Sequence, residues 1–312
     1  MTARVTIGIP CFNAERWIAA AVQSALDQSW PEKEVIVVDD GSTDGSLAAL
    51  EKFGDKIQVI RADHRGGNHA RNLALQHSTG EWLQFLDADD YLEPPKIAQQ
   101  LTEAGSTAAD VIYSPVHIET MTSSGSTRTL SEIDRGFDIY GQWLAWQIPQ
   151  TGGCLWRKSA LEAVGGWKED QPCCQEHELY LRALQAGRLF VFAPTPHAVY
   201  RIWSDDTVCR KDPQLVIKVK TGLIDEMRAW LTARNQWTPQ HRRIAGRACF
   251  EMARTLAKYD LTAATAYQTE RQAHALLHLS GPAAPASYRL IYHLLGFPRA
   301  ERLSRLLRSL SA

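Results

Sequence analysis

The sequence predicts an α/β chain: a mostly parallel sheet with flanking helices, followed by a smaller C-terminal helical region. Three observations carry this. Over the first two hundred residues, runs of strand formers alternate with helical patterns at the spacing of parallel strands joined by crossover helices. Polar and acidic clusters stand at or just after the ends of those strand runs. From about Asp212 the pattern is helical, without clear strand runs, which divides the chain into a first domain over 1–210 and a helical region over 211–312.

Composition is consistent with this. The chain has 312 residues, 45% of them hydrophobic, enough for a full α/β domain and something smaller. A formal net charge of −1 gives no case for a nucleic-acid partner. A strand beginning by Arg4 leaves no room for a signal peptide, and no run of about eighteen apolar residues exists to span a membrane. The six cysteines (Cys11, Cys154, Cys173, Cys174, Cys209, Cys249) lack zinc-type spacing, and adjacent Cys173 and Cys174 are a poor pair to bridge. They read as reduced thiols of a cytoplasmic protein.

Val5–Pro10 is the first strand, and Glu15–Gln28 a helix burying Ile18, Val22, Ala25 and Leu26, with Asn13 as its N-cap. Strand Glu34–Val38 runs into Asp39-Asp40-Gly41-Ser42-Thr43-Asp44, a tight turn before helix Ser46–Phe53. Ile57–Arg61 is a third strand, and Gly66-Gly67 opens a helix to His77. After Pro94-Pro95 a helix runs to Glu103, then strand Asp110–Ser114. Thr120–Arg128 is a hairpin or loop, and Phe137–Gln147 a helix whose Trp143 and Trp146 share a face, as core or as a stacking surface for an acceptor sugar. Cys154–Arg157 is a strand, followed by a helix to Val164, helix Glu176–Ala186 and strand Leu189–Ala193. Gly152-Gly153, before Cys154–Arg157, is a turn, or a place where backbone approaches the donor sugar.

The stretch Glu81–Tyr91, EWLQFLDADDY, organises the rest. Trp82, Leu83, Phe85 and Leu86 form a strand buried on both faces. It ends in Asp87, Asp89 and Asp90, three carboxylates that repel one another unless solvated or met by a cation. A solvated acidic turn would read the same way, but the end of a buried parallel strand is where open α/β sheets bind ligands. Pro10–Asn13, Asp39–Asp40 and Gly66–Arg71 share that crevice if the sheet is parallel. Together the four clusters supply an acceptor for a base, a cation for phosphate and carboxylates for a metal.

IPCFNAERWIAAAVQSALDQSWPEKEVIVVDDGSTDGS, ARNLAL and GEWLQFLDADD resemble the family 2 glycosyltransferases over roughly Val5–Trp203. The resemblance implies the GT-A fold, a Rossmann-like α/β arrangement, and an inverting enzyme that uses a nucleotide sugar, with UDP favoured, and Mn²⁺ or Mg²⁺. By it, Pro10, Phe12, Asn13, Glu15, Asp40, Arg71, Asp87 and Ala88 bind the nucleotide, Asp40 contacting the base and Arg71 lying beside the nucleotide. Asp87 and Asp89 match the metal-binding DxD motif. Two carboxylates suffice because magnesium keeps several waters, and the cation offsets charge on the departing diphosphate.

An inverting transferase also needs a base on the opposite face. Gln175-Glu176-His177-Glu178-Leu179-Tyr180-Leu181-Arg182 resembles the family's ED-x-D-L-x-L-R segment, so Glu176 falls on the catalytic aspartate, with Glu178 the alternative. Glutamate replaces aspartate there, and Gln175 replaces the preceding acid. Two acids in a helix N-terminal turn also suit the dipole with no catalytic role. In His197–Trp203, Trp203 holds the place where the family sometimes has a histidine ligand, and His197 reads as a capping or packing residue.

The C-terminal hundred residues hold helices at Pro213–Arg234, Gln240–Lys258 and Ala263–Leu277. In Pro298–Leu310, Leu303, Leu306, Leu307 and Leu310 form a stripe among Arg299, Arg302, Arg305 and Arg308. Such a helix packs on the transferase domain or a second subunit, or lies peripherally on an anionic membrane near a lipid-linked acceptor. The acceptor implied by the resemblance is a glycan of a cell-surface polysaccharide. Two other readings compete. A sugar-nucleotide nucleotidyltransferase would want a glycine-rich basic loop after the first strand, where this chain has PCFNAER. A non-catalytic nucleotide-sugar-binding module would fit the substitutions at Gln175, Glu176 and Trp203.

Overall fold

The computed structural model describes residues 3–122, 125–203 and 212–309. The chain divides into two compact units, Met1–Arg135 with Trp146–Asp205, and Gly136–Ala145 with Asp206–Ala312. The segment around Trp143, which the sequence boundary leaves in the first domain, thus clusters with the C-terminal helices. Cys209 lies outside the described residues; the other five cysteines are buried.

The first unit opens with β1 (Val5–Cys11), α1 (Ile18–Leu26), β2 (Lys33–Asp39), α2 (Ser46–Glu51), β3 (Gln58–Arg61), α3 (Gly67–His77) and β4 (Trp82–Phe85). Then come β5 (Tyr91–Leu92), α4 (Lys96–Ala104), β6 (Val111–Tyr113), and the hairpin strands β7 (Val116–Thr122) and β8 (Gly125–Leu130). In the second unit lies α5 (Ile139–Leu144); the first resumes with β9 (Cys154–Arg157), α6 (Lys158–Ala163), α7 (Gln175–Gln185), β10 (Phe190–Phe192) and β11 (Ala198–Ile202).

Seven strands form the main sheet in the order β10-β6-β9-β4-β1-β2-β3. Valine and isoleucine dominate β1 and β2 because both faces are covered: Val5, Ile7 and Ile9 are fully buried, against Ile18, Val22 and Ala25 of α1. Each such side chain contributes roughly 1.5–3 kcal/mol. The parallel expectation holds for β1, β2, β3 and β4. It fails at β9, which pairs antiparallel with both β4 and β6. Gln84 faces Leu155 and Trp82 faces Arg157, so β9 starts where β4 ends. The turn Thr151–Gly153 that feeds β9 therefore lies at the same sheet edge as Asp87.

A second sheet, β5-β11-β7-β8, has no forecast in the sequence. Two-residue β5 is too short for periodicity to register, and GSTRTL of β8 is exposed throughout. Thr120–Arg128 falls in the β7–β8 hairpin, with Ile118 opposite Thr129 and Thr120 opposite Thr127. Its function here is positional, since β11 pairs with β5 immediately after the aspartates.

In the second unit, α5 is joined by α8 (Pro213–Ala233), α9 (Pro239–Leu256), α10 (Leu261–Ala273) and α11 (Ala286–Ser309). Asp212, Thr238 and Asp260 cap α8, α9 and α10 through side-chain oxygens, with proline in the first turn of α8 and α9. Ile224, Met227, Leu231, Phe250 and Ala253 are buried. Gly296, at φ 75°, breaks α11 just before Pro298. Of the leucine stripe, Leu303 is half-buried, Leu306 and Leu307 are exposed, and Leu310 lies outside the described residues. Trp143 is fully buried, and Trp146 follows the end of α5 at φ 58°, so the two share no exposed helical face. No described helix is long and apolar enough to cross a membrane.

Candidate active site

The loops after β1 and β2 are stapled together. Asn13, at φ 47°, accepts from Thr43 N–H at 2.8 Å through Oδ1, and its own N–H donates to Ser42 Oγ at 3.0 Å. Ala14 N–H donates to Ser46 Oγ and Glu15 N–H to Asp44 Oδ2, while Glu15 Oε2 accepts from Gly45 N–H at 2.7 Å. These bonds draw the amides of 13–15 out of helical register. The helix consequently starts at Ile18, with Trp17 at its N-cap and no side-chain bond there. Asn13 is a loop staple, not the N-cap the sequence suggested. Pro10, half-buried, lies within β1 opposite Val38.

Asp40 follows β2 and is buried. Its Oδ1 accepts from Arg65 N–H at 2.9 Å and its Oδ2 from Gly66 N–H at 2.8 Å, with His64 Nδ1 at 2.9 Å from Oδ2. Gly66 adopts φ 98°, a conformation that favours glycine and turns its N–H toward Asp40 before α3 begins. The His64 ring stacks on Phe12 at 4.0 Å and 18°, and Phe12 is 44% exposed. An exposed aromatic face thus stands beside a buried carboxylate.

Arg71, in α3, brings a cation to the end of β4. Its Nη2 donates to Asp87 Oδ1 at 2.6 Å, its Nη1 to Asn68 Oδ1 at 3.2 Å, and its Cζ lies 4.7 Å from the Trp167 ring. Reciprocal bonds between Asn72 and the Trp167 backbone place that ring. Burial opposes the Arg71 charge, yet Asp87 and Glu176 outweigh it and hold the guanidinium above its ordinary range. A buried cation therefore feels both acids, one from β4 and one from α7.

Asp90 turns inward and accepts from Arg201 N–H at 2.8 Å, anchoring β11. Burial, reinforced by Asp87 and Asp89, pushes its carboxyl well above the usual range. Asp89 Oδ2 accepts from Trp203 Nε1–H at 2.8 Å. Burial raises its carboxyl too; the Trp203 bond opposes this, and the charge of Asp87 adds to it. Ala88, between them, is buried.

At the start of α7, Glu176 Oε1 accepts from Thr151 Oγ1–H at 2.8 Å. Glu178 points elsewhere: its two oxygens accept from Arg182 Nε at 2.7 Å and Nη2 at 2.8 Å. Arg182 also donates to the carbonyls of Val164 and Gly166, so this pair ties α7 to the preceding turn. His197 Nδ1 lies 2.8 Å from Glu93 Oε2, in keeping with a packing role. The Trp146 ring lies 3.9 Å from that of His177, next to Glu176 in sequence.

Among the described residues no three His, Cys, Asp or Glu side chains are grouped to hold a metal by themselves. Asp87 and Asp89 nevertheless fit a cation that completes its shell with phosphates and water. After burial, the charge of Asp87 adds to the rise of both Asp89 and Asp90, so the three carboxylates lie within electrostatic reach of one another. The structure brings Asp87, Arg71 and Glu176 into one electrostatic group, and links Phe12 to Asp40 through the His64 ring. Asn13 and Glu15 it commits to loop stapling. His64, Thr151 and Trp167 were missed in the sequence, where nothing in their local pattern marks them.

A model of the family described as "Glycosyl transferase family 2" matches residues 6–165. A glycosyltransferase of Nostoc sp. is 32% identical over 174 residues, 52% of this chain and 53% of that protein. The Escherichia coli UDP-Glc:α-D-GlcNAc-diphosphoundecaprenol β-1,3-glucosyltransferase WfaP is 36% identical over 117 residues, 37% of this chain and 47% of that protein. These matches span about half the relatives' own length. Among solved structures, S. aureus TarS 1–349 in complex with UDP-GlcNAc superposes with TM-score 0.62 at 16% identity, covering 96% of this chain and 88% of that one. The mannosyltransferase PcManGT of Pyrobaculum calidifontis, in complex with GDP-Man and Mn²⁺, gives 0.56 at 18%, covering 98% and 88%. At such identity the likeness speaks to fold, and it establishes the GT-A architecture. With its family match covering just over half its length, the chain belongs to glycosyl transferase family 2.

Proposed function

We propose that the protein is an inverting glycosyltransferase that moves a sugar from a nucleoside diphosphate to a hydroxyl of a glycan or lipid-linked acceptor. The observation that carries this is the charge arrangement at the end of β4: Asp87 paired with buried Arg71, whose charge also feels Glu176. Carboxylates suited to a cation and a further carboxylate beside one cationic anchor support this reading. The name of WfaP supports a UDP-linked donor and a lipid-diphosphate acceptor.

In this reading Phe12 and Asp40 receive the base. Asp89 and Asp87 would hold Mg²⁺ or Mn²⁺, which when bound would supply Lewis-acid relief of charge on the leaving diphosphate. Arg71 fixes Asp87 in place. Glu176 takes the proton of the acceptor hydroxyl as the oxygen of that hydroxyl bonds the anomeric carbon. The bond to the diphosphate breaks on the opposite face, so the configuration inverts.

Glu176→Gln tests the base. Nucleoside diphosphate release from a panel of UDP-, GDP-, dTDP- and CDP-sugars should fall by a factor on the order of 10²–10⁴ in the variant. Nucleotide binding and melting temperature should stay near those of the wild type. Normal turnover by the variant would remove Glu176 from the role.

A further inference from the structure

Thr151 is buried, 3% exposed, and lies in the single-turn helix Thr151–Gly153 that feeds β9. In the 2.8 Å contact with Glu176 Oε1 the threonine hydroxyl donates and the carboxylate oxygen accepts. One carboxylate oxygen is thereby engaged, and Oε2 is left as the oxygen to take a proton.

The turn carrying Thr151 is held from beneath at two successive carbonyls. Gly152 O accepts from Gln84 Nε2 at 3.1 Å, and Gly153 O from Gln100 Nε2 at 2.9 Å and from Ser114 N–H at 3.1 Å. Lys96 Nζ donates to Gln84 Oε1, which fixes that amide's orientation. A side chain at Gly153 would meet Pro149 Cβ at 2.6 Å and Val116 Cγ1 at 2.8 Å, so the turn is closely packed as well as bonded. Sheet and helix α4 thus set the turn, and the turn sets the hydroxyl.

We propose that Thr151 is a positioning residue for the transfer: its hydroxyl fixes the Glu176 carboxylate so that Oε2 is presented to the acceptor. This rests on Glu176 being the base. Preorganisation of this kind matters because small displacements of a reacting group are costly in rate.

The test uses Thr151→Val, which keeps shape and removes the donor, with Thr151→Ser, Glu176→Gln and the Thr151→Val/Glu176→Gln double variant. Turnover is measured on the same nucleotide-sugar panel, with the donor that the wild type turns over fastest. Thr151→Val should lower kcat on the order of 10–100-fold, with the donor KM within about twofold. Thr151→Ser should restore most of it. In the Glu176→Gln background Thr151→Val should cost nothing further, because the oxygen it orients no longer acts as a base. An unchanged kcat in Thr151→Val overturns the proposal, as does an equal loss in both backgrounds, which a purely structural role would give. If Glu176→Gln itself turns over normally, or no donor in the panel is turned over by the wild type, the catalytic reading fails and the proposal with it.

Discussion

Glu176 and Glu178 stand two residues apart in the first turn of α7, and their surroundings give them different tasks. Glu178 is buried and held by two bonds from Arg182, which also holds two backbone carbonyls. Removing its charge breaks a largely desolvated pair, so Glu178→Gln should cost about 2–3 kcal/mol of stability. Turnover per folded molecule should be little changed, the reverse of Glu176→Gln. Urea denaturation alongside the nucleotide-sugar assay checks both halves, and a large loss of kcat at full stability would reverse the assignment. The motif alone could not separate these acids, because both suit a helix N-terminus. One clue was legible: Arg182 lies at i+4 from Glu178, a spacing that favours an ion pair, while Glu176 has no such cation in its own helix. What was not legible is Thr151, a polar residue before two glycines whose partner lies 25 positions away.

At the scale of elements, the parallel core was readable because the Val35–Val38 run of β2 and the closely spaced Val5, Ile7 and Ile9 of β1 leave few alternatives to strands covered on both faces. The reversal of β9 was not, since a four-residue apolar strand carries no sign of direction. Nor could periodicity show that Gln84 of β4 and Lys96 of α4 are both buried, forming a polar link inside that core. Burial lowers the Lys96 pKa from 10.5 to about 7. Below about pH 7 the lysine is protonated folded and unfolded, and the full cost of burying its charge is present. Between about 7 and 10.5 the unfolded chain binds more protons than the folded one, so this group makes stability rise with pH, by at most about 1.4 kcal/mol per unit. Lys96→Met removes that dependence. The stability of the wild type minus that of Lys96→Met should increase from pH 7 to pH 10 in urea titrations, approaching that slope. A difference that stays flat would show that burial does not lower the Lys96 pKa in the way the structure implies.

At the scale of the whole molecule, the family match and the quoted motifs concentrate in the first unit, whereas the C-terminal helices are known from their periodicity and caps. The residues proposed for the donor site were legible because each chemical role needs a specific residue type near a strand end: Asp40, Asp87 and Asp89 follow β2 and β4, and Arg71 lies in the helix after β3. The residues that hold those side chains come from distant segments, as Trp203 does for Asp89 and Trp167 for Arg71. No local pattern announces such partners. The central claim, a nucleoside diphosphate site that works through a cation at Asp89, is tested most directly by melting the intact protein with UDP, GDP, dTDP or CDP, each with and without Mn²⁺. A ligand that binds only the folded state raises the melting temperature by mass action, by a few degrees at concentrations well above Kd. The account predicts such a rise with one nucleotide, UDP foremost, that requires Mn²⁺ and disappears in Asp89→Ala. No rise with any of the four, or a rise that neither needs Mn²⁺ nor notices Asp89→Ala, would contradict it.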